Sequence, residues 1–422
     1  MINKLINALI PELDIQSIKN VSIYSGGGLF AQSIMMVYAI IVARFLGPEK
    51  LGTYSGLYAI LGVSITFVNF GLDQWALKEA HNFSSERLII GRVIGTKLVF
   101  GTFWAVLCLL VLPLSRPNHF GIFLVLFAIL DVLCDVLFNS IITAWTIQRE
   151  VKLINIMLLF SRGAKFLLLL GLIALDKVEP MTVVISRLLI SLLTLIICFV
   201  LFKPMVKFNM DLEFINTARQ SIEYGLSEIL AMIYSNIDMA ILPFFSISET
   251  GLYSPASGAI HALYIIPNSI FVYLIPQYAK MFDKQGKFSL KRIFGKFVLI
   301  FFLIGFILSV CLFIGGELFV TFLLDNRFAA TSSVIRILSP IMLFKSLAFS
   351  FALLIVITGN QRRRLLPQFL VSCINIILNI ALIPHFGLVG VAWVYTLSEL
   401  ALMVSYFLIA NNIINYEEAK TS

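Results

Sequence analysis

Two stretches near the start of the chain, Asn20–Ala43 and Leu51–Leu72, contain no charged residue. At roughly 1.5 Å per residue, a helix of either length crosses a bilayer core of about 30 Å. The pattern continues along the chain. Apolar runs fall at 20–43, 51–74, 94–115, 119–147, 153–175, 180–202, 217–244, 251–279, 296–316, 333–358, 365–384 and 388–414, joined by short polar links. Only 13% of the residues are charged and 59% are hydrophobic, whereas a soluble domain carries about 25% charge. Such a chain cannot cover its surface with water-facing side chains. It reads as an all-α integral membrane protein of about twelve transmembrane helices.

The formal charge of +8 does not point to nucleic acid, because the basic residues sit in the short links, where anionic lipid headgroups are the natural partner. With the N-terminus in the cytoplasm and the spans alternating, 21 of the 31 Lys and Arg lie inside and five outside. This is the bias of the positive-inside rule, and it puts both termini in the cytoplasm. Lys97 is counted with the inside set, as are Lys280–Lys296 and Arg362-Arg363-Arg364. The polar link 204–216 divides the chain into 1–203 and 217–422, each with six spans, which predicts two six-helix bundles around a central cavity. Glu12 and Asp14 argue against a cleavable leader, so the first span is expected to act as an uncleaved insertion signal. The five cysteines lie in apolar runs without a Cys-x-x-Cys pair and read as small buried hydrophobes.

The two halves echo each other. A shift of 199 places Phe45, Gly52, Tyr54, Ser55 and Asn69 on Phe244, Gly251, Tyr253, Ser254 and Asn268, which suggests two copies of one helical unit. Arg44-Phe-Leu-Gly-Pro-Glu-x-x-Gly-x-Tyr-Ser55 with Phe70-Gly-Leu-Asp73 resembles the first helical hairpin of the polysaccharide-transporter family. Asn236-Ile-Asp238 with Glu249-Thr-Gly-Leu-Tyr-Ser254 is similar to that family's seventh-to-eighth helix junction. The family belongs to the superfamily of multidrug, oligosaccharidyl-lipid and polysaccharide exporters, and its members include the O-antigen repeat-unit flippases. The resemblance implies two lobes that rock in alternating access, and it marks Arg44 as a hairpin residue at the outer helix end.

Basic residues within the spans are the sharpest chemical signal. Arg162 and Lys165 are three apart and share a face; Arg187 lies in the sixth span, Arg336 and Lys345 in the tenth. A charge at mid-membrane costs at least about 2.5 kcal/mol and usually faces a water-filled interior. A cationic cavity suits the diphosphate of a polyprenyl-diphosphate sugar, which Arg grips bidentately. The competing reading is that these side chains snorkel to the headgroups. Arg336 and Lys345, nine apart, fall on opposite faces of a straight helix, so only one faces the interior unless Pro340 twists it.

The acids form a second set. Asp131 and Asp135 share a face with Asn139; Glu223 and Asp238 share a stripe with Ser227 and Tyr234; Glu399 stands alone. Asp131 or Asp135 is expected to neutralise Arg162 or Lys165 on the next helix, with proton or sodium coupling as the alternative role for the set. Gly26-Gly27-Gly28 lacks a phosphate-loop ending and calls for a close helix contact or a moving bend. Pro255, Pro267 and Pro276 are expected to kink the eighth span. His261 is the single mid-span histidine and reads as a packing residue.

No metal spacing, nucleophile–base pair, nucleotide motif or other cofactor signature is present, so an enzyme is not expected. The combined reading is a flippase of the bacterial inner membrane. It would carry a polyprenyl-diphosphate-linked oligosaccharide, an O-antigen or similar lipopolysaccharide or surface-polysaccharide unit, between leaflets, driven by an ion gradient or by removal of product. The rivals are a cation-coupled multidrug exporter, which favours an acidic cavity, and a membrane polymerase or ligase, which needs a large outside loop. Polysaccharide-assembly proteins are possible partners that no residue names.

Overall fold

The computed structural model describes residues 15–80, 86–116, 118–204, 213–285 and 290–419. Among these, every regular element is a helix: α1 (Ile15–Ser64), α2 (Thr66–Asn69), α3 (Leu72–Glu79), α4 (Glu86–Ser115), α5 (Ile122–Ile147), α6 (Val151–Ala174), α7 (Pro180–Phe202), α8 (Glu213–Ile241), α9 (Ile247–Gln285), α10 (Leu290–Leu323), α11 (Ala329–Leu338), α12 (Ile341–Ile357) and α13 (Leu365–Ala419). Eight stretches among the described residues are long and apolar enough to cross a membrane. Large apolar side chains such as Phe103, Leu114, Phe123 and Phe322 stand exposed on the outside of the bundle, where lipid takes the place of water.

The breaks follow from local chemistry. α1 is interrupted at Gly47, at φ 71° and ψ 171°. Pro48 drives the preceding residue out of the helical region, and glycine alone enters positive φ without strain. α13 breaks in the same way at Gly387, φ 51°, three residues after Pro384. The tenth apolar run is two helices, α11 and α12, separated at Ser339 and Pro340.

One expectation changes. The second run is not one straight helix: α1 ends at Ser64, and Phe70 and Gly71 both take left-handed backbone before α3 begins. Gly225 of α8 packs against this break, where a Cβ would lie 2.5 Å from the Phe70 carbonyl oxygen. α9, by contrast, runs unbroken through Pro255, Pro267 and Pro276. At Gly27 a Cβ would lie 2.4 Å from the Asn155 side chain, so this glycine serves a close approach of α1 to α6.

Three apolar cores hold the bundle. The largest combines both halves of the chain, with Tyr38, Leu57, Val125 and Leu169 from the first and Tyr253, Ile260, Leu338 and Ile341 from the second. Away from the Gly47 break each half has its own: Ile90, Ile141, Trp145 and Phe202 in one, Phe271, Phe301, Phe351 and Leu402 in the other. The halves therefore share the large core at one end and keep separate apolar cores at the other, where α8 still meets the first half at Gly225 and Phe70.

At the shared end the 199-residue echo becomes a physical contact. A Cβ on Gly52 would lie 1.8 Å from the Ile247 carbonyl oxygen, and one on Gly251 would lie 1.7 Å from that of Pro48. Pro48 and Ile247 are themselves 199 apart, so the contact is reciprocal about a pseudo-twofold axis. Two guanidiniums cross beside it. Arg327 donates to the Arg44 carbonyl at 2.8 Å, and Arg116 donates to the Phe244 carbonyl. Arg327 also bonds Asp325 and thereby holds that exposed carboxyl below its ordinary pKa range.

Adding a methyl where two backbones touch forces the helices apart, at a cost of typically 1–3 kcal/mol. Gly52→Ala and Gly251→Ala are each expected to lower the melting midpoint of the detergent-solubilised protein by several degrees. Gly258→Ala on the same helix α9, with no atom within 4 Å, is expected to leave the midpoint unchanged in the same melt.

Candidate functional site

Four helices of the first half bring charge to one point. Tyr54 and Tyr58 lie one turn apart on α1, Asp131 and Asp135 on α5, and Arg187 and Ser191 on α7; α6 adds Arg162 and Lys165. The fully buried Asp131 carboxylate accepts from Tyr58 at 2.6 Å, Ser191 at 2.5 Å and Arg187 Nε at 3.0 Å. Lys165 Nζ lies 3.0 Å from Asp135 and 4.0 Å from Asp131. Arg187 also donates to Tyr54 Oη at 2.7 Å and stacks over the Tyr58 ring at 4.2 Å. An ion taken out of water costs several kcal/mol, which only good geometry with further hydrogen bonds offsets, and this cluster supplies both.

The cluster forms the wall of a cavity of about 280 Å³, lined by Gln32, Asp135, Asn139, Arg162, Lys165 and Arg187 among others. Three of these are cations and one is an acid; Asp131 behind them leaves one positive charge in excess. Arg162 is that excess. Its hydrogen bond goes to the Gln32 amide oxygen at 2.9 Å, and no carboxylate lies within ion-pair distance among the described residues.

The second half builds its own centre. Lys345 of α12 and Glu399 of α13, both buried, pair at 2.8 Å. Tyr264, Tyr395 and Tyr234 surround the ammonium at 4.8, 5.4 and 6.0 Å from their ring centroids, an aromatic cage of the kind that favours a desolvated cation. The adjoining cavity, about 310 Å³, is lined by Gln74 from α3 and by Tyr234, Tyr264, Asn268, Lys345, Arg364, Gln368, Glu399 and Tyr406, among others. Here too cations exceed acids by one.

The remaining residues fall elsewhere. Arg336 is exposed and pairs with Glu317 at 2.7 Å, so Pro340 and the nine-residue spacing send it away from the side to which Lys345 turns. Arg44 is exposed beside the Gly47 break and gives its carbonyl to Arg327. Asp238 accepts from Tyr253, while its second oxygen has no partner among the described residues. The Glu223 side chain lies outside the described residues. His261 presents a buried Nε2 without a partner among them, and all five cysteines are free thiols. No group of three or more His, Cys, Asp or Glu is placed to hold a metal among the described residues.

One buried network escaped the sequence reading. Lys97, assigned above to the cytoplasmic set, is 1% exposed and bonds Asp73 at 2.6 Å and Ser140 at 2.8 Å. It ties α3 to α4 and α5 just beyond the Phe70–Gly71 break. Its position near the start of an apolar run was the available signal.

The profile of the family described as "polysaccharide biosynthesis protein" matches residues 17–282, more than half of the chain. The chain belongs to this family. A capsular polysaccharide biosynthesis protein, CapF of Staphylococcus aureus, is 23% identical over 189 residues, 44% of this chain and 48% of that one; the match thus spans about half of that relative's length. Two solved structures share the fold. An inward-facing multidrug-resistance transporter of the MATE family, in the MOP superfamily, superposes with a TM-score of 0.71 at 12% identity, covering 95% of this chain and 96% of that one. The lipid II flippase MurJ in an inward closed conformation gives 0.74 at 12% identity, covering 92% and 87%. A member of the polysaccharide family with this fold is a multi-pass membrane protein.

Removing one partner of a buried ion pair leaves an uncompensated charge, at a cost of about 3–5 kcal/mol, whereas replacing both with apolar groups is often neutral or better. Glu399→Gln alone is expected to lower thermal stability sharply, and the double variant Lys345→Met/Glu399→Leu to recover most of the loss in the same melt.

Proposed function

We propose that the protein is a flippase that moves a polyprenyl-diphosphate-linked oligosaccharide from the cytoplasmic to the outer leaflet of a bacterial inner membrane. The observation that carries this reading is the excess of cations over acids lining two polar cavities inside a member of a polysaccharide family. The Arg162 guanidinium, with Lys165 and Arg187 behind it, offers the forked donors that a diphosphate takes up. The polyprenyl chain stays in lipid between the halves, and the sugar rests in the polar interior.

Support for two rocking units comes from the three cores. The halves share the large core at the Gly47 end and keep separate apolar cores at the other, so a rotation about the shared end that releases the Gly225–Phe70 contact opens one side without unfolding either half. Reading each broken helix as two crossings, with α8 and α9 as spans, gives twelve crossings with both termini in the cytoplasm and the Gly47 end outside. A drug exporter for cationic compounds calls for the opposite balance of lining charge. No catalytic step is assigned to the chain.

Among the candidate acids whose side chains are described, Asp238 is the one left to couple transport to an ion. Asp131, Asp135 and Glu399 have basic partners within 4 Å, whereas Asp238 has none among the described residues. One elementary charge moved across the membrane supplies roughly 2.3 kcal/mol per 100 mV.

The test uses protein in vesicles with a lipid-linked oligosaccharide supplied on one leaflet. A hydrogen bond to a charged group contributes about 1.5–3 kcal/mol, which is roughly tenfold or more in rate or affinity. Arg162→Gln is expected to slow translocation at least tenfold at normal membrane levels, and Arg336→Gln to leave it within twofold. Equal rates for Arg162→Gln and the parent protein sink the cationic-cavity reading. A second measurement concerns the drive: an imposed proton or sodium gradient is expected to accelerate the parent protein and to have no effect on Asp238→Asn.

A further inference from the structure

We propose that the cavity beside Lys345 is a second anion subsite, one that takes an acidic substituent on the saccharide rather than the lipid diphosphate. This rests on the flippase reading and narrows its substrate to oligosaccharides that carry a carboxylate or phosphate on a sugar.

The argument starts from donors without acceptors. The charge of Lys345 is balanced by Glu399 at 2.8 Å. Arg364 differs. Its guanidinium lies 5.2 Å from the Tyr406 ring centroid, half-buried in the cavity wall, and its Nε is buried without a hydrogen-bond partner among the described residues. Tyr406 Oη, in the same wall, is buried and unpartnered as well. An arginine cannot shed its proton, and a buried charged donor left unpaired costs more than a neutral one. Two such donors beside one cavity, with one positive charge in excess, define a place for an anionic acceptor.

The rest of the wall shows what bears that anion. Tyr234 and Tyr264 present ring faces, and Asn268 and Gln368 present amides. Flat apolar faces combined with amides suit a sugar ring, whose two sides are apolar and whose rim is hydroxylated. A bare diphosphate has no use for the ring faces. The first cavity already offers it Arg162, and the two lining sets share no residue.

Binding to the full-length protein in detergent tests this with four probes: inorganic pyrophosphate, an oligosaccharide with one uronic acid, one with a sugar phosphate, and a neutral oligosaccharide of equal length. The acidic or the phosphorylated oligosaccharide is expected to bind at least tenfold tighter than the neutral one. Arg364→Gln is expected to erase that preference while pyrophosphate affinity stays within twofold, and Arg162→Gln to do the reverse. Tyr406→Phe, which keeps the ring and removes the donor, is expected to weaken the acidic probe two- to fivefold, which guards against a folding defect in the arginine variant. Which of the two anionic probes responds identifies the substituent.

The proposal is overturned if neutral and acidic probes bind alike, if Arg364→Gln leaves acidic binding unchanged, or if it weakens pyrophosphate instead, which would make this cavity the diphosphate site. Vesicle translocation separates the two readings. Flipping of a neutral lipid-linked oligosaccharide as fast as an acidic one leaves the flippase reading standing and removes the acidic subsite.

Discussion

A charge inside a bilayer must find its counter-charge within the protein, and this requirement organises the interior. Asp131 receives hydrogen bonds from three side chains on α1 and α7, with Lys165 of α6 nearby; Lys345 and Glu399 join α12 to α13; Lys97 and Asp73 join α4 to α3. Each pair links different helices, so each fixes how one helix is rotated and shifted against another. Apolar packing between helices in lipid lacks that directionality, because lipid tails are as apolar as leucine. The polar centres thus set the register of the bundle, and the cavities lie where the charged side chains do not come together completely.

How much of this was legible in the sequence depended on chain distance. Asp131, Asp135 and Lys165 stand on consecutive helices, and simple helical spacing anticipates their meeting, whereas Arg162 on the same face turns to Gln32. The same geometry separates Arg336 from Lys345. Glu399 looked isolated because it lies past the Gly387 break of α13, so Lys345 on the preceding helix α12 is two crossings away and the spacing of adjacent spans does not bring the two together. Lys97 was hidden in another way: a lysine near the start of an apolar run reads as a loop residue until Asp73 and Ser140 appear beside it. Arg364 stands at the end of a run of three arginines and was counted only for the positive-inside bias, yet it lines the cavity beside Lys345.

Backbone breaks divide along similar lines. Gly47 with Pro48 and Gly387 after Pro384 carry their cause in the adjacent residues. The left-handed Phe70 is followed by a left-handed Gly71, and the fit of α8 against this break at Gly225 is a contact made only once the halves assemble.

Few positions match across the 199-residue offset, yet both members of the pair Gly52 and Gly251 are glycine. Each sits against the other half's backbone, so a side chain gained at either one pushes on both halves at once. The two positions act as a single hinge pin, and the point where they meet marks where the pseudo-twofold axis runs.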